Sequence, residues 1–251
     1  MERKDFLRGL GLAGLGSLAI VPMINACSKD DDDVSASSDT TQATDTGGSS
    51  SSGSCSVTAS ETAGPFPTKT PGSLITSNIT SDRTGVGFNI NIYIKNTKTS
   101  CAALEGAIVD IWHCDKDGYY SEYGGTSMQS ADFTTVHFLR GRQTTDATGL
   151  VRFKSIFPGW YSGRATHIHV HVYNASGTSL LVTQIAFPEG SGSAVALINA
   201  SSANGYTKGL SGYTYNAADN VFSDGVANEM STVTGSVAEG FVLTHTINVA
   251  G

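Results

Sequence analysis

Three histidines alternate with apolar residues in the segment 166–172, which reads THIHVHV. Residues two apart in a β-strand point to the same face of the sheet, so His167 and His169 can present two imidazoles to one metal ion. Imidazole is the most common protein ligand for transition metals. The segment therefore predicts a metal site on a strand, with His171 as either a third ligand or an outer residue.

Two other segments place tyrosines shortly after tight turns. The first reads WHCDKDGYY and runs from Trp112 to Tyr120, and the second reads FPGWY and runs from Phe157 to Tyr161. In both segments a glycine permits the sharp turn, and an aromatic hydroxyl follows within two residues.

The order and spacing of these segments resemble the intradiol ring-cleaving dioxygenases, the family that includes protocatechuate and catechol dioxygenases. Each motif alone is weakly specific, whereas their joint order is highly specific. The resemblance covers roughly 62–222 of the chain. It is carried by Thr62-Ala63-Gly64-Pro65-Phe66, Trp112 to Tyr120, Leu139-Arg140-Gly141, Thr145 to Gly149, Pro158 to Tyr161, Arg164 to His169, and Gln184.

The resemblance implies that one ferric ion per chain is bound by Tyr120, Tyr161, His167 and His169. The ligand types agree with this metal, because two phenolates are hard anionic donors and two neutral imidazoles keep the net charge low. Tyr120 is selected over Tyr119 because the family's ligand lies two residues after the turn glycine.

The resemblance also implies the reaction. A catechol and O₂ would be the substrates, and ring cleavage between the two hydroxylated carbons would give a cis,cis-muconate-type diacid. Tyr161 would accept a proton from the catechol, Arg164 would stabilise negative charge, and Gln184 would hydrogen-bond near the reacting centre. The sequence does not identify which catechol is used.

The elements that must position these residues are β-strands separated by turn residues. Phe88 to Ile94 alternates strictly, and Thr166 to Tyr173 alternates its histidines with Ile168, Val170 and Val172. Residues 190–240 are rich in small and polar residues and are expected to form long loops. We therefore predict an all-β fold, a single-domain β-sandwich with long loops. The predicted strands are 88–94, 107–112, 150–153, 166–173, 180–187 and 241–249.

Residues 1–26 have the layout of an export signal, with a basic start and an apolar run too short to span a bilayer. The residues before Cys27 resemble a bacterial lipobox, so Cys27 is predicted to be lipidated and to anchor the protein in a membrane. The segment 27–54 contains an aspartate run and then mostly Ser, Thr, Gly and Ala, which predicts a flexible tether. The domain would then cover 55–251. We expect an exported protein, lipid-anchored to the outer membrane or cell surface of a bacterium.

Three cysteines lie in this domain, namely Cys55, Cys101 and Cys114. An exported chain can hold a disulfide. Cys101 and Cys114 would lie near opposite ends of the strand predicted at 107–112, which is too far apart for a bond. Cys55 is therefore expected to be one partner, and the other stays open. For Cys114 we favour a structural role, through a disulfide, over contact with substrate.

Other functions stay open at this point. The tether favours a surface-bound β-sandwich that binds carbohydrate or a phenolic ligand without turnover. A site made of His167, His169 and His171 would suit zinc or copper. The net charge of −7 and the lack of a basic cluster argue against nucleic acid as a partner. The tether occupies the place of the helical dimerisation segment of catechol dioxygenases, so the oligomeric state is not predicted.

Overall fold

The computed structural model describes residues 55–251 of the chain. The predicted signal peptide (1–26), the lipobox residue Cys27 and the predicted tether (27–54) lie outside the described residues, and these assignments stay predictions. Within 55–251, no helix is both long enough and apolar enough to cross a membrane.

β-Strands make up most of the regular structure in this part of the chain, together with one six-residue α-helix and several three-residue 3₁₀ turns. The strands are β1 (Gly87–Asn96), β2 (Ala102–Ala103), β3 (Ile108–Trp112), β4 (Arg140–Thr144), β5 (Leu150–Ile156), β6 (His167–Tyr173), β7 (Ser179–Ala186), β8 (Thr232–Ser236) and β9 (Gly240–Val249). The helix, α1, is Ala194–Asn199.

The strands form two sheets. In the first sheet the order is β2-β1-β9-β8, and β5 also pairs with β1. In the second sheet the order is β4-β3-β6-β7. β1 and β9 run parallel, and the other paired strands are antiparallel. The prediction of an all-β sandwich is therefore confirmed.

The apolar faces of the two sheets enclose the main hydrophobic core. In β1, Ile90 and Ile92 are fully buried, and in β6 the same is true of Ile168 and Val170. Burying an apolar side chain of this size contributes about 1.5–3 kcal/mol. Because Ile168 and Val170 face this core, the histidines that alternate with them lie on the opposite face of the second sheet.

Each predicted strand is present, with its ends shifted by a few residues. β2, β4 and β8 were not predicted. β2 has only two residues, and the sequences of β4 and β8, RGRQT and TVTGS, are mostly polar. The segment 190–240 is mostly loop, as expected, but it also contains α1 and β8.

The segment before β1 is attached to the sandwich by a disulfide. Cys55 pairs with Cys101, with their Cα atoms 5.9 Å apart, so the prediction that Cys55 is one partner is confirmed. Cys114 is buried and forms no disulfide within residues 55–251. The expectation that Cys114 takes part in a disulfide is wrong for the part of the chain that the structure describes, because Cys55 is bonded to Cys101 instead.

Candidate metal centre

Four side chains form a row across the second sheet, on the face turned away from the core. The strand registers pair Trp112 of β3 with Arg140 of β4 and with His169 of β6, and they pair His169 with Gln184 of β7. Directly paired residues of neighbouring strands share one face of the sheet. We call these residues (Arg140, Trp112, His169 and Gln184) the site row.

Three polar side-chain atoms converge beside this row. Tyr120 Oη lies 3.1 Å from His167 Nε2 and 3.4 Å from His169 Nε2. The two Nε2 atoms are 3.1 Å apart. All three residues are about 2 % exposed, so the cluster is shielded from solvent.

Each imidazole is oriented by its surroundings. His167 Nδ1 lies 2.6 Å from the carbonyl oxygen of Ala165. A carbonyl only accepts, so Nδ1 carries the proton and Nε2 keeps the free lone pair that a metal ligand needs. His169 is oriented by packing, because its ring is stacked on the Trp112 ring with an interplanar angle of 2°. A Cβ added at Gly64 would lie 3.0 Å from His169 Cε1, so the backbone there closes in on the imidazole.

Burial sets the protonation of the cluster. It lowers the pKa of His167 to about 3, with Arg164 contributing in the same direction, and it lowers the pKa of His169 well below the usual value. Both imidazoles are therefore neutral at pH 7. Burial raises the pKa of Tyr120, so this phenol stays protonated unless a cation stabilises its anion.

The donor set fits one small, hard cation. Within 55–251, no group of three or more His, Cys, Asp and Glu side chains is placed to hold a metal ion. The two histidines therefore need phenol oxygen to complete a site, and Tyr120 places one 3.1–3.4 Å from their nitrogens. Neutral imidazole together with phenolate oxygen is a combination that suits Fe(III).

The turn before Tyr120 determines which tyrosine reaches the histidines. Gly118 has φ +92° and leaves no room for a Cβ beside the carbonyl of Trp160. The Gln129 side chain accepts from Tyr120 N at 2.7 Å and donates to Tyr120 O at 2.8 Å. Tyr119, the alternative ligand, is 37 % exposed and packs near Phe133, away from the histidines.

Tyr161 lies at the edge of the same site. Its ring centre is 6.1 Å from that of Tyr120, and its hydroxyl donates to the carbonyl of Met128 at 2.8 Å. The structure therefore brings three of the four predicted ligands together, while the hydroxyl of the fourth is bound elsewhere. All four line a cleft of about 470 Å³, together with Thr62, Gly64, Pro65, Phe66, Met128, Ser162, Gly163, Arg164, Asn220 and Val221.

Arg164 and Gln184, the other predicted site residues, are joined to each other. Arg164 Nη2 donates to Gln184 Oε1 at 2.6 Å, and Arg164 Nε donates to both carboxylate oxygens of Asp219 at 2.9 Å. Gln184 Nε2 in turn donates to the carbonyl of Thr62 at 2.8 Å. The guanidinium is thus held at the cleft by two elements of the fold.

Arg140 supports the opposite end of the site row. It is 1 % exposed and donates to the carbonyl of Phe66, the hydroxyl of Thr68, and both the hydroxyl and the carbonyl of Ser121. Phe66 stacks on Tyr120 with ring centres 4.9 Å apart. Arg140 therefore connects the segment that covers the cluster to the chain that carries Tyr120.

Two residues near the predicted site lie apart from the cluster. His171 binds Ser179 Oγ and Tyr173 Oη, each at 2.8 Å, so it does not join the other two histidines. Cys114 packs with Phe66, Trp112 and Tyr120, and the cleft wall does not include it. Burial raises the pKa of its thiol.

Two polar residues that support the site were not predicted. Gln129 lies in a loop with no periodic pattern, and Asp219 lies in the segment that was expected to be only loop. Asp219 is 1 % exposed, and a buried aspartate is rare unless it is paired. A single aspartate in a polar loop carries no sequence signal of burial, so only the folded structure reveals its role.

Comparison with known proteins shows which family the chain resembles. A family model described as dioxygenase matches residues 72–208, which is more than half of the chain. A chlorocatechol 1,2-dioxygenase of Rhodococcus opacus is 31% identical over 108 residues, which are 36% of this chain and 39% of that protein. A catechol 1,2-dioxygenase of Acinetobacter lwoffii is 30% identical over 95 residues, 31% of this chain and 29% of that protein. The alignments thus span well under half of either relative.

Solved structures match over a larger part of the chain. An intradiol ring-cleavage dioxygenase from Tetranychus urticae is 27% identical, with a TM-score of 0.67 over 78% of this chain and 95% of that one. The dioxygenase domain of a carbohydrate-binding fusion protein from Streptomyces sp. SirexAA-E, 24% identical, has the same fold, with a TM-score of 0.55 over 77% of this chain and 97% of that one. The chain therefore belongs to the intradiol ring-cleavage dioxygenase family.

Proposed function

We propose that this protein is a non-haem Fe(III) dioxygenase that cleaves the ring of a catechol with O₂ to a cis,cis-muconate-type diacid. The observation that supports it most strongly is the convergence of Tyr120 Oη, His167 Nε2 and His169 Nε2 within 3.4 Å of one another. These three residues, with Tyr161, would hold the iron. When bound, ferric iron would supply the Lewis acidity that keeps phenols and a catechol deprotonated at neutral pH.

The protein groups around the cluster have separate roles in this reaction. His167 keeps its lone pair on Nε2 because its Nδ1 proton is held by the Ala165 carbonyl. Phe66 stacks on Tyr120 and covers the cluster, so bulk water has little access to it. Tyr161 Oη donates its own proton to the Met128 carbonyl in this structure, so it is a neutral phenol here. It could accept a proton from the substrate only as the tyrosinate, which it would become by losing that proton when it helps to hold the iron.

Arg164 would stabilise negative charge on the substrate. Its Nε and Nη2 are engaged by Asp219 and Gln184, which leaves Nη1 without a hydrogen bond to the described residues. A guanidinium nitrogen with free N–H groups at the cleft can donate to a substrate oxygen as negative charge accumulates there.

The test is the colour and the oxygen uptake of the purified, iron-loaded protein. We expect a broad visible absorption band from tyrosinate-to-iron charge transfer, and O₂ consumption with at least one member of a panel of simple and substituted catechols. Protein that binds iron but stays colourless would contradict the ligand set. Coloured protein with no oxygen uptake across the panel would instead favour a binding module without turnover.

The site of action is proposed to be outside the cytoplasm, with lipid on Cys27 holding the protein to the outer membrane or cell surface. The layout of residues 1–26 supports export. The Cys55–Cys101 disulfide also supports it, since such bonds persist mainly in oxidising compartments. A Cys27→Ser variant should move from the membrane fraction to a soluble fraction, and unchanged membrane association would contradict lipid anchoring at this residue.

A further inference from the structure

Asp219 connects three parts of the candidate site. It follows a short 3₁₀ turn, Asn216–Ala218, in the long loop between α1 and β8. Its side chain is fully buried, and both oxygens accept from Arg164 Nε at 2.9 Å. The carboxylate also accepts from the backbone N–H of Ala165 at 2.7 Å and of Val221 at 2.9 Å.

These contacts restrict the guanidinium of Arg164. Asp219 holds Nε, and Gln184 holds Nη2 at 2.6 Å. A planar guanidinium held at two of its nitrogens cannot rotate without breaking one of these hydrogen bonds, so the direction of Nη1 is restricted as well. Without Asp219, the long side chain would regain rotamers that point away from the cleft.

The same carboxylate also reaches the candidate metal ligands and the cleft wall. Ala165, whose N–H it accepts, offers its carbonyl to His167 Nδ1 at 2.6 Å. Val221, its other backbone partner, lines the cleft. Asp219 therefore holds a cleft-lining loop against the start of β6, although it is not part of the cleft wall itself.

We propose that Asp219 is a positioning residue for the reaction: it orients Arg164 so that Nη1 meets the negative charge that develops on the substrate. This rests on the proposed function, because the charge in question is that of a catechol undergoing cleavage. Asp219 lies outside residues 72–208, the range that the family model matches. Charge stabilisation by an oriented donor affects the transition state more than substrate binding, so its loss should lower kcat more than it raises KM.

The test compares Asp219→Asn with Asp224→Asn, which removes an exposed carboxylate from the same loop. We expect Asp219→Asn to lower kcat by at least about tenfold, with KM and iron content within about twofold of the wild type. The Asp224→Asn variant should match the wild type. A kcat within about twofold of the wild type would overturn the proposal, and so would iron loss in parallel with the loss of kcat.

A double-mutant cycle separates positioning from general support. If Asp219 acts through Arg164, adding Asp219→Asn to Arg164→Ala should lower kcat by less than about twofold further. Reductions that multiply in the double variant would overturn the proposal. They would show that Asp219 acts independently of Arg164.

A second measurement does not require turnover. In metal-free protein, NMR should show that the Arg164 Nε–H exchanges with water at least about tenfold faster in Asp219→Asn than in the wild type or in Asp224→Asn. Equal exchange rates would contradict the positioning contact. If the wild type consumed no O₂ with any catechol, the proposed function would fail, while this exchange rate would still report whether Asp219 holds Arg164.

Discussion

The second sheet carries two parallel rows of side chains, two residues apart along its strands. The site row consists of Arg140, Trp112, His169 and Gln184. The neighbouring row, which we call the outer row, consists of Arg142, Asp110, His171 and Val182. Both rows have an arginine on β4 and a histidine on β6, yet only one row lies against the tyrosine and histidine cluster.

The difference lies in what covers each row. In the site row, His169 is stacked on Trp112 and lies beside Gly64 and Tyr120. Within residues 55–251, the polar atoms within hydrogen-bond distance of its Nε2 all belong to other candidate ligands. In the outer row, Arg142 Nη2 donates to Asp110 at 2.7 Å. His171 is half-buried and binds Ser179 and Tyr173. His169 and His171 lie on the same strand, so the difference between them comes from the side chains that other elements place beside each one.

The largest expected effect comes from removing a histidine of the site row. His169→Ala should lower iron affinity by at least about a hundredfold, because loss of a ligand costs at least as much as loss of an outer partner. Equilibrium dialysis followed by metal analysis measures this. Iron affinity close to that of the wild type would show that His169 is not a ligand and would remove the contrast between the rows.

The next largest effect on iron affinity is expected at one of two adjacent tyrosines and not at the other. Tyr120→Phe should lower iron affinity by at least about tenfold and remove much of the visible absorption, since a phenolate donor is lost. Tyr119→Phe is the matched control, because that ring is 37 % exposed and lies away from the histidines. If Tyr119→Phe lost the colour and Tyr120→Phe kept it, the assignment of the ligand would be reversed.

His113 lies in a third kind of histidine environment, whose effect on the stability of the fold depends on pH. His113 is buried, with Nδ1 2.8 Å from the Cys114 carbonyl and Nε2 2.8 Å from Ser155 Oγ, so neither nitrogen is free for a metal. Burial lowers its pKa to about 4, although its bond to the Cys114 carbonyl acts in the opposite direction. The folded protein therefore keeps it neutral, while the unfolded chain takes up a proton below pH ~6.5.

His113 therefore stabilises the fold fully only above the pKa of the unfolded state, and this contribution is lost as the pH falls toward 4. Between pH 7 and 5.5 we expect it to account for about 1 kcal/mol of lost unfolding free energy. Urea unfolding of the wild type and of His113→Gln over this pH range measures the difference in slope. Identical slopes would contradict a buried neutral histidine at this position.

The smallest effect is expected in the outer row. His171→Gln should leave iron affinity within about twofold of the wild type and change the unfolding free energy by no more than about 1 kcal/mol, the scale of one hydrogen bond. Iron titration and urea unfolding on the same preparation give both values. A large loss of iron would place His171 among the ligands and support a site of three histidines.

Much of this arrangement could be predicted from the sequence, because it depends on local pattern. Alternation predicted β1 and β6, and it placed His167 and His169 on one face. The resemblance to the dioxygenase family, in which the ligand lies two residues after the turn glycine, favoured Tyr120 over Tyr119, and the structure places Tyr120 at the histidines. Each of these inferences needs only residues that are close together in the chain.

The rest depends on pairing between distant segments. The strand β4 shows no alternation of apolar and polar residues. Its Arg140 is buried and its Arg142 half-buried because both form hydrogen bonds to other segments of the chain. Asp219 binds Arg164 across 55 positions in the chain. No local pattern encodes such a contact, so the positioning network around the guanidinium emerged only from the folded structure.

Isotope labelling of the product tests the central claim most directly. The iron-loaded protein is incubated with a catechol that it consumes under ¹⁸O₂, and the product is analysed by mass spectrometry. We predict a single diacid, opened between the two hydroxylated carbons, that carries both labelled oxygen atoms. A quinone without label, or a product opened beside rather than between those carbons, would contradict the account.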